Sequence, residues 1–168
     1  TAIVVVGIDH EGFIYILDIA RFKADRISEY FDELSRLHSK WGFKKLRAET
    51  TVAQQVIVRD LKDKMRENGL TLSVDEYRPN RREGSKEERI AAALEHRYDN
   101  GVIWHFHGGF TEILEEELCL ARPPHDDVKD ALAAVCEICI KPQGSKSVDF
   151  FNDKVVPINS RFGGVSFR

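Results

Sequence analysis

The first twenty residues alternate between apolar blocks and a short polar block. Residues 2–8 and 13–17 are rich in valine, isoleucine, leucine and aromatic side chains, which favour strands. Residues 9–12 between them are polar and end in a glycine, a combination typical of a tight turn. The chain is therefore predicted to begin with a β-hairpin.

The next segment has the periodicity of a helix with one buried face. Apolar residues recur at intervals of three or four among charged ones: Ile27, Phe31, Leu34 and Leu37. Gly42 follows, and glycine commonly ends a helix because it adopts the left-handed conformation at little cost. A helix over 24–40 is predicted.

The remainder of the chain alternates between predicted strands and helices. Strands are predicted over 43–48, 70–77 and 102–106; helices are predicted from Thr50 or Thr51 to Asn68-Gly69, from Ser85 to Asn100-Gly101, through Ile113, Leu114 and Leu118, and over 126–140. Ser85 and Glu88 have the spacing of a capping box. Such alternation predicts an α/β fold, with helices flanking a mixed sheet. Residues 141–168 lack sustained periodicity and are predicted to be an irregular extension of a domain over 1–140.

Composition narrows the class of protein. A chain of 168 residues with 42% apolar content is enough for one domain with an ordinary core. A formal net charge of −3 argues against a protein that coats nucleic acid by bulk charge, so any DNA contact requires a local basic patch. Three cysteines without framework spacing, and no apolar run of membrane length, predict a reducing, cytoplasmic setting.

Acidic residues at two predicted element ends suggest a metal site. Glu49 follows the predicted strand 43–48, and Asp126, Asp127 and Asp130 lie on the first turn of the last predicted helix. Carboxylate oxygens suit Mg²⁺ or Mn²⁺, which activate water in two-metal nucleases. If the fold brings the two groups together, the chain is predicted to be a metal-dependent nuclease.

The aspartates on the last predicted helix are not equivalent. An apolar stripe formed by Val128, Leu132, Val135 and Cys139 places Asp127 near its border and Asp126 farther away. Asp130 lies three residues after Asp127 on the same face, so both are predicted to line the site, with the principal ligand left open. His125 could orient a ligand or the attacked phosphate. Acidic residues also collect in first turns as caps and dipole partners, which is the alternative interpretation.

Three further patterns have simpler interpretations. Cys136 and Cys139 have the spacing of a metal or redox motif but lie in a predicted helix, and are interpreted as buried apolar residues. In residues 104–107, Trp104 and Phe106 are predicted to be core, with His105 and His107 exposed. Glutamates 115–117 are predicted to be a solvated helix face.

Four segments together resemble a known family. Residues 1–18, 47–55, 86–90 and 125–132 are similar, in order and spacing, to the nuclease domain of tailed-phage terminase large subunits. The resemblance covers about residues 1–140. It implies an RNase H-like fold, two-metal cleavage of double-stranded DNA with Mg²⁺ or Mn²⁺, and cutting of concatemeric phage DNA during packaging in the bacterial host cytoplasm. The implied partners are the terminase ATPase domain, the small terminase subunit and the portal.

The resemblance also assigns roles to residues. It implies that Glu49 is the second acidic position and that Asp127 and Asp130 supply the third. Lys86 and Arg89 match family positions and extend the strongest basic cluster of the chain, which also contains Arg78, Arg81 and Arg82. Such a cluster is predicted to bind the DNA backbone. A solvated loop, or pairing of Lys86 and Arg89 with glutamates of their own helix, is the alternative.

The chain departs from the family pattern at its start. The first catalytic aspartate of the family lies on a strand before the one that resembles residues 1–8, and no phosphate loop of an ATPase motor is found. The chain is therefore expected to be a shortened product or fragment, with Asp9 as a poorly placed substitute. A catalytically silent module for DNA docking or protein interaction is the second hypothesis. A nucleotide-binding α/β domain is disfavoured because no glycine-rich phosphate loop follows a strand.

Overall fold

A computed structural model describes residues 1–50, 55–78, 84–120 and 123–142. The strands are β1 (Ala2–Ile8), β2 (Ile14–Arg21), β3 (Lys45–Glu49), β4 (Ser73–Tyr77) and β5 (Ile103–Trp104). The helices are α1 (Ile27–Trp41), α2 (Gln55–Glu67), α3 (Lys86–Asp99), α4 (Glu112–Cys119) and α5 (Asp127–Ile138), with a 3₁₀ turn at Gly109–Thr111. This order confirms the prediction of a mixed α/β fold. The predicted extension, residues 141–168, lies outside the described residues apart from Lys141 and Pro142.

The predicted hairpin is confirmed. β1 and β2 pair antiparallel, from Ala2 opposite Arg21 to Ile8 opposite Ile14, with a bulge between Val5 and Val6. In the turn, one carboxylate oxygen of Asp9 accepts three backbone N–H groups. Asp9 therefore stabilises the turn through hydrogen bonds to the turn's own backbone.

The strands form two sheets within the described residues. β5 pairs parallel to β2, which gives the mixed sheet β1-β2-β5, and β3 pairs parallel to β4 in a second sheet. The first sheet is mixed, as predicted, but the prediction of one sheet does not hold in the part of the chain described. Helix α5 joins the two units, because it packs against both β1 and β3.

Helices cover both faces of the three-stranded sheet. On one face, residues from α3, α4 and α5 form the main core with the sheet; its members include Val4, Ile14, Ile16, Leu94, Leu114, Val128 and Leu132. On the other face, α1 packs Leu37 against Val5 and Ala20. Burial of a leucine side chain contributes about 1.5–3 kcal/mol, so Leu37 helps to hold α1 on the sheet.

Two helix ends agree with their sequence signals. Gly42 ends α1 in the left-handed conformation, with φ of 64°. Ser85 begins α3 with the complete capping box that its spacing to Glu88 predicts. Thr50 instead continues the pairing of β3 with β4, since its N–H donates to the carbonyl of Tyr77 at 2.8 Å. The alternative cap, Thr51, lies outside the described residues.

Among the helices that the structure describes, none is both long enough and apolar enough to cross a membrane.

Candidate metal and nucleic-acid site

Glu49 is brought to the site by the parallel pairing of β3 with β4. It is the last residue of β3 and lies opposite Tyr77, the last residue of β4. Both strands therefore end at the same edge of their sheet, and their final side chains emerge there. The predicted strand 43–48 is shifted by one or two residues, so Glu49 belongs to the strand rather than following it.

The first turn of α5 is held by a carboxylate from α4. Glu117 accepts the backbone N–H groups of Val128 at 3.0 Å and Lys129 at 2.9 Å. It is only 3% exposed, so the prediction of a solvated face at 115–117 is wrong at this position. A negative charge here satisfies free amides and complements the helix dipole. Glu117 thereby fixes the end of α5 that presents Asp126 and Asp130.

Lys86 joins α3 to the aspartates of α5. Its ammonium lies 2.9 Å from Oδ2 of Asp126 and 3.1 Å from Oδ2 of Asp130. Burial by itself would lower the pKa of Lys86, but the two carboxylates outweigh it and raise that pKa. The lysine therefore stays protonated and partly neutralises the acidic pair.

Glu49 lies within electrostatic range of the same group. Burial raises the pKa of its carboxyl, and the negative charge of Asp130 raises it further, while Arg89 and Lys86 act in the opposite direction. The balance is a raised pKa. Glu49 is an exposed residue by accessible surface area, so neighbouring groups shield its carboxyl group from solvent only in part. The charges of Asp130 on α5 and of Lys86 and Arg89 on α3 therefore all act on Glu49 at the end of β3.

Arg89 is positioned at the site by an aromatic ring. Its guanidinium donates to the hydroxyl of Tyr77 at 3.3 Å and lies 5.9 Å from the centre of that ring. Arg47 lies 4.3 Å from the centre of the same ring, and its side chain pairs with Glu137 of α5 at 3.0 Å. Tyr77 therefore holds Arg89 near Glu49. Arg47 links β3 to α5 through its pairing with Glu137.

Asp127 contacts a different element, the start of β1. Its Oδ2 lies 3.4 Å from the amino nitrogen of Thr1, at the start of β1. Of the carboxylates that the structure describes, Asp130 is the one whose charge acts to raise the pKa of Glu49. Asp126, expected to point farther away, shares Lys86 with Asp130 instead. His125 is exposed just before the helix.

The predicted basic cluster is described only in part. Lys86 and Arg89 lie in the first turn of α3, next to the acidic residues. Arg78 is exposed directly after β4. Arg81 and Arg82 lie outside the described residues, so their predicted DNA contacts stay predictions.

The Trp104–His107 segment differs from its prediction. Trp104 is 56% exposed and Phe106 is 75% exposed, so their assignment to the core is wrong. Glu115 of α4 interacts with both histidines: its Oε1 lies 3.1 Å from Nδ1 of His107 and 3.6 Å from Nδ1 of His105. β5 ends after two residues, and the following chain leaves the sheet before Phe106 can be covered.

Cysteine burial agrees with the sequence interpretation. Cys136 is fully buried in the main core, and burial raises the pKa of its thiol to about 12. Cys139 is half-buried against the same core. At ordinary pH these thiols are protonated and behave as apolar groups.

The arrangement offers two carboxylates and two cations rather than a complete metal cage. No group of three histidine, cysteine, aspartate or glutamate residues with metal-binding geometry occurs within the described ranges. The negative charge of Asp130 acts on Glu49 and contributes to the raised pKa of its carboxyl group. Such a pair can bind a hard divalent cation through oxygen while Lys86 and Arg89 face phosphate.

Comparison with known proteins adds no assignment: no protein-family model matches the chain, and no curated protein matches it significantly.

Proposed function

We propose that this protein is a metal-dependent nuclease domain that hydrolyses double-stranded DNA. The observation that supports it most strongly is the electrostatic coupling of Glu49 on β3 to Asp130 on α5. The negative charge of one carboxylate opposes ionisation of the other, and a divalent cation bound by both would relieve that repulsion. Positive side chains beside them, Lys86 and Arg89, suit a phosphodiester substrate.

Glu49 and Asp130 are the residues that would hold the cation, with Asp126 adjacent through its contact with Lys86. A bound divalent cation would supply an activated water and charge stabilisation at the phosphate. Lys86 would then exchange its carboxylate partners for phosphate oxygens, since its ammonium has no directional preference between the two anions. Arg89, held by Tyr77, would bind the backbone at a fixed place.

The wider role comes from the resemblance to phage terminase nuclease domains. It supports an RNase H-like arrangement and the cutting of concatemeric DNA in the host cytoplasm, together with the ATPase domain, small subunit and portal. The family's first carboxylate lies on a strand before β1. The start of β1 lies beside Asp127, so a carboxylate brought by an upstream strand would enter next to α5. Little sequence preference is expected, because phosphate contacts carry no base information.

A second candidate is a catalytically silent module for DNA docking or protein interaction. One observation favours it: Lys86 already pairs with both Asp126 and Asp130. An acidic pair neutralised by lysine can be purely structural, with α3 fastened to α5. In that case the basic residues would bind DNA without any need for a cation.

Manganese titration with matched variants tests the proposal. Calorimetry should show Mn²⁺ binding to the wild-type chain and weaker binding to Glu49→Gln and Asp130→Asn, while Glu87→Gln, an exposed position on α3, binds as the wild type does. Nicking of supercoiled plasmid in Mn²⁺ should follow the same order. DNA binding in EDTA should not be weakened in any of the three variants, since each substitution removes a negative charge.

Unchanged manganese affinity in both site variants would refute the assigned site. Manganese binding that depends on Glu49 and Asp130, but without nicking, would leave the cation site intact and contradict catalysis by this chain. DNA binding without any manganese binding would favour the silent module.

A further inference from the structure

A group of four exposed aromatic side chains is contributed by β2, β5 and the residues that follow β5. We call it the aromatic surface; its members are Tyr15 (39% exposed), Trp104 (56%), Phe106 (75%) and Phe110 (40%). Phe13 supports it, with its ring edge-on to Trp104 at a centroid distance of 6.5 Å. A concentration of exposed aromatic area of this kind usually marks a contact site.

Two members of the aromatic surface, Tyr15 and Trp104, lie on the sheet face that α1 covers only at its other end. Ile14 and Ile16 point into the main core, so Tyr15 points to the opposite face. Trp104 is the register partner of Tyr15 across the β2–β5 pairing and shares its face. Helix α1 covers the other end of this face, where Leu37 packs with Val5.

The described chain ends beside the aromatic surface. The last described residue is Pro142, and Cδ of Lys141 lies 3.7 Å from the position that a Cβ would take on Gly12. Gly12 belongs to the hairpin turn and directly precedes Phe13. A chain leaving this point needs only a few residues, at about 3.3–3.6 Å each, to reach Trp104.

The sequence that follows has the composition to cover such a surface. Residues 143–168 contain several large apolar side chains: Phe150, Phe151, Val155, Val156, Ile158, Phe162, Val165 and Phe167. They also contain four basic residues, Lys146, Lys154, Arg161 and Arg168, against two acidic ones, Asp149 and Asp153.

The border of the aromatic surface is acidic, which complements that net positive charge. Asp9 accepts the hydroxyl of Tyr15 at 3.0 Å, and the charges of Asp9 and Glu11 both act to raise the pKa of Tyr15. Glu112 is exposed at the start of α4, two residues after Phe110. The same acidic border disfavours a nucleic-acid strand stacking on these rings.

We propose that residues 143–168 fold back and dock phenylalanine side chains onto the aromatic surface of their own chain. The place where the described chain ends, the apolar content of the segment and the opposite charges of segment and border support this occupant. The contact is independent of the Glu49–Asp130 site, so either inference can fail alone. Phe150 and Phe151, the first aromatic pair after Pro142, are the anchors.

Fluorine NMR of the full chain labelled with 5-fluorotryptophan tests this docking, because the chain has two tryptophans. Trp104 is the probe, assigned as the resonance lost in Trp104→Phe. Trp41, which donates from Nε1 to Asp18 at 2.9 Å on a different element, is an internal control. The shift of each resonance on transfer from H₂O to D₂O reports its contact with solvent.

Docking predicts a small solvent isotope shift for Trp104 in the full chain and a larger one in the double variant Phe150→Ala/Phe151→Ala. The shift of Trp41 should be the same in both proteins, which shows that the fold is retained. A matched double variant at polar positions, Asn159→Ala/Ser160→Ala, should behave like the full chain. The small isotope shifts of Trp104 in the full chain and in the matched polar variant should not change with protein concentration.

Equal and large isotope shifts of Trp104 in all three proteins would overturn the proposal. Protection that appears only at high concentration would assign the surface to a second copy instead. Protection that requires added DNA would assign it to nucleic acid, and protection unaffected by loss of Phe150 and Phe151 would assign it to a different cover.

Discussion

The ammonium of Lys86 lies 3.1 Å from Oδ2 of Asp130, and this contact links the first turn of α3 to the first turn of α5. The same ammonium reaches Asp126 at 2.9 Å. A lysine in this place gives the acidic pair a counter-ion within the chain. It therefore competes with any cation that Asp130 and Glu49 would bind.

Replacement of Lys86 by methionine should strengthen Mn²⁺ binding. Removal of a partly exposed positive charge next to Asp130 should raise the affinity about tenfold, or about 1.4 kcal/mol. Calorimetric titration measures the change. Lys62→Met, which removes a lysine paired with Glu76, is the matched control and should leave the affinity unaltered. Weaker manganese binding in Lys86→Met would mean that the lysine organises the site rather than competing for it.

Glu117 should be needed to hold the first turn of α5. Glu117→Ala leaves the N–H groups of Val128 and Lys129 without their carboxylate acceptor. Hydrogen bonding to a charged group contributes about 1.5–3 kcal/mol to stability. The free energy of unfolding in urea should fall by about that amount. Glu116→Ala, at the exposed neighbouring position, should change it by less than about 0.5 kcal/mol. Equal effects of the two substitutions would contradict the capping role.

The carboxylate of Asp18 should make the free energy of unfolding depend on pH in the acidic range. Burial would raise the pKa of its carboxyl, but hydrogen bonds from Lys40 and Trp41 outweigh burial and lower the pKa below its usual 3.8. A carboxyl group whose pKa is lower in the folded state than in the unfolded state stabilises the fold when it is ionised. This contribution is fully present above the pKa of the unfolded state and is lost as the pH falls through the pKa of the folded state.

At pH 7, Asp18→Asn should therefore be less stable than the wild type by about 1–2 kcal/mol, since Lys40 is itself largely exposed and its pairing is screened. The difference should shrink as the pH falls below 3.8. Thermal unfolding at several pH values measures it. Asp32→Asn, at an exposed position on α1, is the matched control for loss of a carboxylate from the surface. A difference that stays constant with pH would exclude the ionised carboxylate as its source.

The basic cluster should govern DNA affinity. Loss of Arg81 and Arg82 together is expected to weaken binding and to reduce the slope of log affinity against log salt by about 2, one for each lost phosphate contact. Fluorescence anisotropy at several salt concentrations gives the slope. Arg21→Ala/Lys23→Ala removes the same charge from exposed positions on the hairpin side. If both double variants alter the slope alike, net charge rather than this cluster controls binding.

Local signals in the sequence predict much of the fold. The hairpin turn at Asp9, the glycine that ends α1 and the capping box at Ser85 each depend on neighbouring residues alone, and each is found. Strand ends are less well predicted: β4 begins at Ser73 and β5 has only two residues. Strand length depends on pairing partners that are distant in sequence.

The candidate site shows where sequence patterns stop being informative. The acidic character of α5 is visible in the sequence, but its pairing with Lys86 depends on how α3 crosses it. Glu117 looks like its solvated neighbours because burial is decided by the start of α5, eleven residues later. Trp104 and Phe106 alternate as core residues do, yet both side chains are exposed because, among the described residues, α1 covers only the other end of this sheet face. These features depend on tertiary contacts, and the local sequence pattern would be the same whether or not those contacts formed.

Anomalous diffraction from a manganese-soaked crystal of this chain tests the central claim most directly, because it locates the cation without requiring turnover. The account predicts a manganese peak between the carboxylates of Glu49 and Asp130, with Lys86 turned away from Asp130. Well-ordered crystals with no peak there, and Lys86 still paired with Asp126 and Asp130, would contradict the metal site and leave the acidic pair a structural contact.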